Sequence, residues 1–378
     1  MNSSNNWVVK FMFFRRLLSK AIFIFTLSLQ SSALFALSDD MRIETMAENL
    51  KSPWSMGFLP NGEVLITERG GKLKIVRVGG KALTVKGVPK VVAAGQGGLL
   101  DVLVPRNFDR DRVIFLTFSK KQGRGAGTAV ARATLSKDGS RLENLTTIFE
   151  MSAGSSGGRH FGSRLVEARD GSLFVTIGDR GDQDSAQDLS RHNGAVIRIS
   201  KTGAPLKDNP FLSKSAAQPE IWSYGHRNPQ GAALDLGGNL WVVEHGAKGG
   251  DEVNRVRAGR NYGWPVISYG THYSGAKIGD GTSKSGMQQP EFYWDPSIAP
   301  SGMMIYSGKL WPEWRGDFLI GSLKFGYISR LSGANLTEVE QLKGSETKRV
   351  RDVREAPDGT IWFLSEDRGA LYRLSPKP

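Results

Sequence analysis

Apolar and polar residues alternate along this chain in six short blocks of similar design. "FLPNGEVLITERGGKLKIV" (58–76) reads as a turn, an alternating strand, a polar turn and a second strand. Related blocks follow at "LVPRNFDRDRVIFLTFS" (103–119), "EARDGSLFVTIGDRG" (167–181), "LDLGGNLWVVEHG" (234–246), "WPEWRGDFLIGSLKFGYISRL" (311–331) and "EAPDGTIWFLSEDRGALYRLS" (355–375). Most join a Gly- or Asp-containing turn to about five β-prone residues, the local signal of a hairpin. No amphipathic helical period separates them. Their starts lie about 44 to 77 residues apart, so inserted loops must divide some copies. Recurring units bury their apolar faces against one another, and a radial arrangement leaves only short edges open. The pattern predicts an all-β, six-bladed β-propeller with long loops on one face. A two-domain β-sandwich is the alternative, but it gives no reason for six similar units.

The first 38 residues depart from this pattern. They hold Lys10, Arg15, Arg16 and Lys20, no acidic residue, the apolar run "AIFIFTLSL" (21–29), and then "QSSALFALS" with small residues at Ala36 and Ser38. This is the layout of a cleaved secretory signal peptide, which in a bacterium leads to the periplasm. It leaves residues 39–378 as the propeller. A retained membrane anchor is the other reading, weakened by Thr26, Ser28 and Gln30 within and beside the apolar run. Loss of the four leader cations lowers the net charge from +13 to +9. The remaining basic residues are interspersed with acidic ones, which argues against a nucleic-acid partner. The chain contains no cysteine, which excludes disulfides and thiolate metal sites without excluding export. A monomer or weak dimer is expected.

Four stretches carry candidate chemistry. In "SGGRHFGSRL" (156–165) His160 is one of only five histidines and is surrounded by glycine and serine. Small neighbours allow a second molecule to approach, and a neutral imidazole is a suitable general base near neutral pH. Arg159 and Arg164 are expected to keep it neutral by charge repulsion. The alternative is a polar residue on a surface loop. In "SYGHRNPQG" (223–231) Arg227 and Asn228 offer donors to a carboxylate or a quinone-type oxygen, or they satisfy their own turn. The glycine-rich "EHGAKGGDEVN" (244–254) can present backbone carbonyls, with Asp251 and Glu252 near, to a hard cation such as calcium. The acidic loop "GDRGDQDSAQD" (178–188) reads as a structural turn with Arg180 as partner. Finally, Lys324 and the pair Arg349 and Arg351 of "KRVRDV" form a cationic group. Residues two apart on a strand share a face, and two facing arginines repel unless an anion lies between them. A small polycarboxylate would answer that charge.

Assembled in order, "GQGGLLDV" (95–102), "HFGSRL", "IWSYGHRNPQG", "EHGAKGGDEVN", "NYGWP" (261–265) and "RVRDV" resemble the soluble aldose sugar dehydrogenases of the glucose/sorbosone dehydrogenase family. The resemblance covers essentially the whole chain after the leader. It implies a six-bladed propeller that binds pyrroloquinoline quinone and calcium in a cleft at the top of its channel. It implies oxidation of an aldose's anomeric hydroxyl to the lactone, with an external electron acceptor. By the same resemblance His160 matches the base, and Gln96 a glutamine near cofactor and substrate. Arg227 and Asn228 match contacts to the quinone oxygens, Tyr273 an aromatic beside it, and Lys324, Arg349 and Arg351 the cations holding its carboxylates. Gly246 and Ala247 match carbonyl donors to calcium, while Glu252 and Tyr262 match a further calcium position. Two positions depart from the family pattern. Arg159 stands where the glucose-oxidising relatives have an acidic residue, and Ala247 replaces a common proline. Two other functions fit a propeller: a metal-dependent lactonase, which needs several converging carboxylates or amides, and a non-catalytic glycan-binding module.

Overall fold

Each of the six blocks falls within its own four-stranded antiparallel sheet. The computed structural model describes residues 40–77, 81–152 and 154–377, and the leader expected at 1–38 lies outside them. No helix among the described residues is long and apolar enough to cross a membrane. The first strands of the six sheets are Pro53–Phe58, Leu99–Leu103, Leu165–Glu167, Pro229–Leu234, Pro300–Ile305 and Val350–Glu355. Each contacts the next, and the last returns to the first, so they line a central channel. Five blades are built from consecutive strands. The sixth is completed by Met41–Ala47, which pairs antiparallel with Ala370–Pro376. The two ends of the propeller thus share one sheet and close the ring, a join that block spacing did not reveal.

Local chemistry explains why the blocks become hairpins. Asp170 Oδ1 accepts the Ser172 N–H at 2.9 Å, Asp235 Oδ1 the Asn239 N–H at 2.8 Å, and Asp358 Oδ1 the Thr360 N–H at 2.9 Å. Between them Gly171 and Gly359 adopt φ of 85° and 91°, where a β-carbon would be strained. The strands that follow, such as Leu173–Thr176 and Ile361–Ser365, are buried throughout. An apolar cluster fills every seam between neighbouring blades. Leu65 and Leu73 of the first blade meet Leu116 and Phe118 of the second. Trp362 and Leu364 of the sixth meet Met56 and Ile66 of the first. Each fully buried side chain of this size contributes about 1.5–3 kcal/mol, so the ring holds together without covalent staples.

One irregularity positions the site. Five of the six inner strands slip register by one residue near their N-terminal end. Trp54, Gln230 and Arg351 are the extra residues between Pro53 and Ser55, Pro229 and Gly231, and Val350 and Asp352. A bulge interrupts the two-residue alternation and re-aims a side chain. All three of these side chains line one cavity. Regular strand alternation is therefore not what brings Arg349 and Arg351 together. Arg349 precedes the strand with φ of 49°, and Arg351 sits at the bulge.

Candidate active site

The loop around His160 is threaded through very close backbone contacts. A β-carbon at Gly178 would lie 2.3 Å from the His160 carbonyl oxygen, and one at Gly95 would lie 2.1 Å from that of Gly158. Glycine is required at both positions. Gln96 fixes the loop from the other side: its Oε1 accepts the His160 N–H at 2.8 Å, and its own N–H donates to the Gly158 carbonyl at 2.7 Å. His160 is 7% exposed, and its Nδ1 lies 2.6 Å from Asp179 Oδ1. Asp179 also accepts the Gly181 N–H at 2.7 Å and the Trp264 indole N–H at 2.9 Å. Burial alone would raise the Asp179 pKa, yet the His160 hydrogen bond and nearby positive charge hold it below the ordinary carboxylate value. An ionised Asp179 keeps the proton on His160 Nδ1, leaving Nε2 as a lone-pair acceptor. Among the described residues the ring's hydrogen bond is made by Nδ1, and none is made by Nε2.

Burial is the main reason that the His160 pKa lies below its ordinary value, with Arg227 and Arg159 adding repulsion. Arg164 is not the cause that the sequence suggested. It lies deeper in the channel, its Nη1 3.2 Å from Asp101 Oδ1 and 3.1 Å from Asp352 Oδ1. Arg354 completes this buried group, at 2.9 Å from Asp101 and 3.1 Å from Asp352. Two carboxylates and two guanidinium groups from different blades thus meet among the inner strands. The 178–188 loop is also more than a structural turn, since Asp179 orients the imidazole. Arg180 does not pair with that carboxylate. It donates to the Arg159, Ala126 and Gly157 carbonyls and covers the Phe161 ring, pinning the His160 loop.

At the N-terminal ends of the inner strands opens a cavity of ≈ 740 Å³. Gln96, Asn228, Gly246, Ala247, Tyr273, Lys324, Arg349 and Arg351, all named from the sequence, line it. Tyr273 is 77% exposed, so its ring stands free at the rim. Arg69, Lys248 and His245 join the lining without having been singled out from the sequence. Cations outnumber the two lining carboxylates, Asp295 and Glu366. Between Arg349 and Arg351 lies an anion that belongs to the protein itself. Glu366 Oε2 accepts Arg349 Nε at 3.0 Å, Arg351 Nε at 3.1 Å and Arg351 Nη2 at 2.8 Å. Arg351 Nη1 reaches Gln230 Oε1 at 3.3 Å, and Gln230 Nε2 reaches Asn228 Oδ1 at 3.2 Å.

The 244–254 loop divides its residues between two places. Gly246 and Ala247 face the cavity. Glu252 and Tyr262 instead border a separate pocket of ≈ 10 Å³, behind Gly246 and beside Glu244 and Arg227. The Tyr262 hydroxyl is committed elsewhere: it donates to the Arg255 carbonyl at 2.5 Å and accepts the Arg257 N–H at 2.9 Å. Burial and the neighbouring Glu244 push the Glu252 carboxyl pKa above its ordinary value. Asp251 faces inward, accepting the Gly246 N–H at 2.8 Å, the Ser297 hydroxyl at 2.7 Å and the Ala299 N–H at 2.9 Å. It shapes the loop and adds no free anionic oxygen to it. Arg227 also lies behind the loop. Its Nη1 donates to the His245 and Gly246 carbonyls, its guanidinium packs on Trp264, and its buried Nε has no partner.

The His160–Asp179 pair is not part of the lining of the ≈ 740 Å³ cavity, which Gln96, the residue that holds the His160 N–H, does line. The family model described as Glucose / Sorbosone dehydrogenase matches residues 50–373. The chain belongs to the glucose/sorbosone dehydrogenase family. Aldose sugar dehydrogenase YliI of Escherichia coli is 41% identical over 367 residues, covering 95% of this chain and 99% of that protein. Quinoprotein glucose dehydrogenase B of Acinetobacter calcoaceticus is 26% identical, covering 88% and 86%. Among solved structures, the apo-form of the soluble aldose sugar dehydrogenase of E. coli superposes with a TM-score of 0.86 at 40% identity, covering 89% of this chain and all of the other. The PQQ-bound aldose sugar dehydrogenase of Streptomyces coelicolor shares the fold, with a TM-score of 0.74 at 24% identity over 90% of this chain. Within this glucose/sorbosone dehydrogenase chain, three more residues missed from sequence share one trait. Asp179, Gln230 and Glu366 act through contacts 19, 121 and 15 positions away in the chain. No spacing rule announces such contacts.

Proposed function

We propose that this chain is a pyrroloquinoline-quinone-dependent aldose dehydrogenase that oxidises the anomeric hydroxyl of a sugar to the lactone. The observation that carries the reading is His160, held by Asp179 with Nε2 free, in a chain whose cationic cavity takes ≈ 740 Å³. The residues present fit a rigid tricarboxylate. Arg349, Arg351 and Lys324 supply charged donors and Asn228 an amide, while Arg227 lies behind the 244–254 loop and does not line the cavity. Carbonyl oxygens of Gly246 and Ala247 are the donor type that calcium prefers, and Arg227 Nη1, which donates to the Gly246 carbonyl, would have to share that oxygen with the ion; Glu252 and Tyr262 are assigned to a further position only by family likeness. When bound, the quinone and its calcium supply the hydride acceptor and Lewis acid that side chains lack. The chain's own part is to bind and orient the sugar, and to remove the hydroxyl proton at His160 Nε2. Asp179 stabilises the imidazolium so formed.

Among the described residues no group of three or more His, Asp or Glu side chains gathers as a metal centre. A lactonase needs several converging carboxylates or amides; the amides Gln96, Asn228 and Gln230 line the cavity, with the carboxylates Asp295 and Glu366. A glycan-binding module leaves the His160–Asp179 pair without a task. Export to the periplasm through the N-terminal leader and transfer of electrons to an external acceptor belong to the same proposal. The test is reconstitution of purified apo-protein with quinone and calcium, with dye reduction followed across a panel of aldoses. If calorimetry shows the quinone bound and no aldose reduces the dye, the proposal fails.

A further inference from the structure

Glu366 stands between two guanidinium groups in a cavity that is otherwise arranged to attract anions. Its place is set by the backbone: the Glu366 N–H donates to the Arg349 carbonyl at 3.0 Å, and its own carbonyl accepts the Gly369 N–H at 3.2 Å. Its Oε2 takes the inner edges of both arginines, through Nε of Arg349 and through Nε and Nη2 of Arg351. The far end of Arg351 is caught by Gln230, the bulged residue of the fourth blade's inner strand. The Arg351 fork is therefore fixed at both ends before any ligand arrives, while Arg349, with its side chain 39% exposed, is fixed at its Nε. Lys324, by contrast, meets no carboxylate among the described residues and rests over Phe325.

From this geometry we infer that Glu366 is a positioning residue that orients Arg349 and Arg351 toward the cavity for a ligand's carboxylates. The inference rests on the quinone reading above. It opposes a simple charge argument. Removing an anion from a site that binds an anion should tighten binding, because attraction between unlike charges rises. Losing the anchor should weaken it, because two long side chains would then have to be ordered at the moment of binding. The sign of the change decides between them.

The experiment is calorimetric titration of the whole apo-protein with pyrroloquinoline quinone plus calcium, for the parent, Glu366→Ala and Glu366→Gln. Circular dichroism and thermal melting check that each variant is folded. Glu366→Ala is expected to bind about tenfold to a hundredfold more weakly, the loss of charge-assisted bonds that no longer hold the forks. Glu366→Gln retains an acceptor oxygen and should recover part of that loss, which a merely structural defect would not do. Equal or tighter binding by a folded Glu366→Ala would overturn the inference and make Glu366 a competitor for the arginines. Failure of the parent itself to bind the quinone would instead overturn the function on which the inference rests. If Glu366→Ala is unfolded, the Gln variant carries the test, with unchanged or tighter binding counting against the idea.

Discussion

Asp179→Asn separates an oriented base from a histidine that merely lies near a cavity. The parent carboxylate accepts three hydrogen bonds, from His160 Nδ1, the Gly181 N–H and the Trp264 indole. Oδ1 takes the His160 and Gly181 bonds and Oδ2 the Trp264 bond, so an asparagine whose oxygen stays on the Trp264 indole gives up the Gly181 bond and turns its NH₂ toward His160 Nδ1. That nitrogen must then accept, which moves the ring proton to Nε2 and removes the lone pair that takes the sugar's proton. In Ser-His-Asp enzymes the same change costs about four orders of magnitude, and loss of a general base costs about two to four. The expected loss in turnover at saturating quinone is therefore about a hundredfold to ten-thousandfold. The pH profile supplies a sign. Activity needs neutral His160, whose pKa already lies below its ordinary value through burial, while Asp179 raises it. Removing the carboxylate should move the acid limb of the remaining activity to lower pH. The assay is dye-linked aldose oxidation from acid to neutral pH, with quinone occupancy checked by calorimetry. Parental turnover, or an acid limb displaced upward, would refute the assignment.

His160→Gln should bind the quinone like the parent yet turn over about two to four orders of magnitude more slowly; a parental rate at full occupancy would remove His160 from the chemistry. Arg351→Ala should weaken quinone affinity about tenfold to a hundredfold, read by calorimetry. It should also lower the apo-protein's melting temperature, because the side chain is paired with Glu366 and Gln230. Exhaustive chelation should abolish dye reduction, and calcium added with quinone should restore it; full activity in a sample shown metal-free by elemental analysis would exclude a role for the Gly246 and Ala247 carbonyls.

Acid should expose the clamp. Burial opposes ionisation of Glu366, but Arg351 and then Arg349 keep its pKa below the ordinary value. A carboxyl depressed in the folded state adds stability in full above its unfolded pKa, and loses it as pH falls through the folded one. Melting temperature should therefore fall less steeply with acid in Glu366→Gln than in the parent below about pH 4.5. Identical acid slopes would show that the pair of arginines does not stabilise an ionised Glu366.

Chain-local physics made much of this protein legible in its sequence. A turn such as "RDGS" or "PDGT" carries its own Asx hydrogen bond and its own left-handed glycine, so Asp170 and Asp358 start hairpins wherever the rest of the fold puts them. Six such signals predict six blades, and residue type alone marks His160, Arg227, Lys324, Arg349 and Arg351 as charged or titratable groups needing a purpose. Tertiary structure decided which groups answer one another. Closure by Met41–Ala47 depends on a strand finding a partner more than 300 positions away. Asp179 rather than an adjacent residue orients His160, because Gly178 lets two loops approach to atomic contact. Arg351 meets Glu366 and Gln230 because bulges turn residues of separate blades into the same cavity. Alternation along a strand gives the face a residue occupies in a regular ladder, but a one-residue bulge resets it. The charge balance of the site was thus hidden for a physical reason: electrostatic partners are chosen by distance in space, and the closed ring sets those distances.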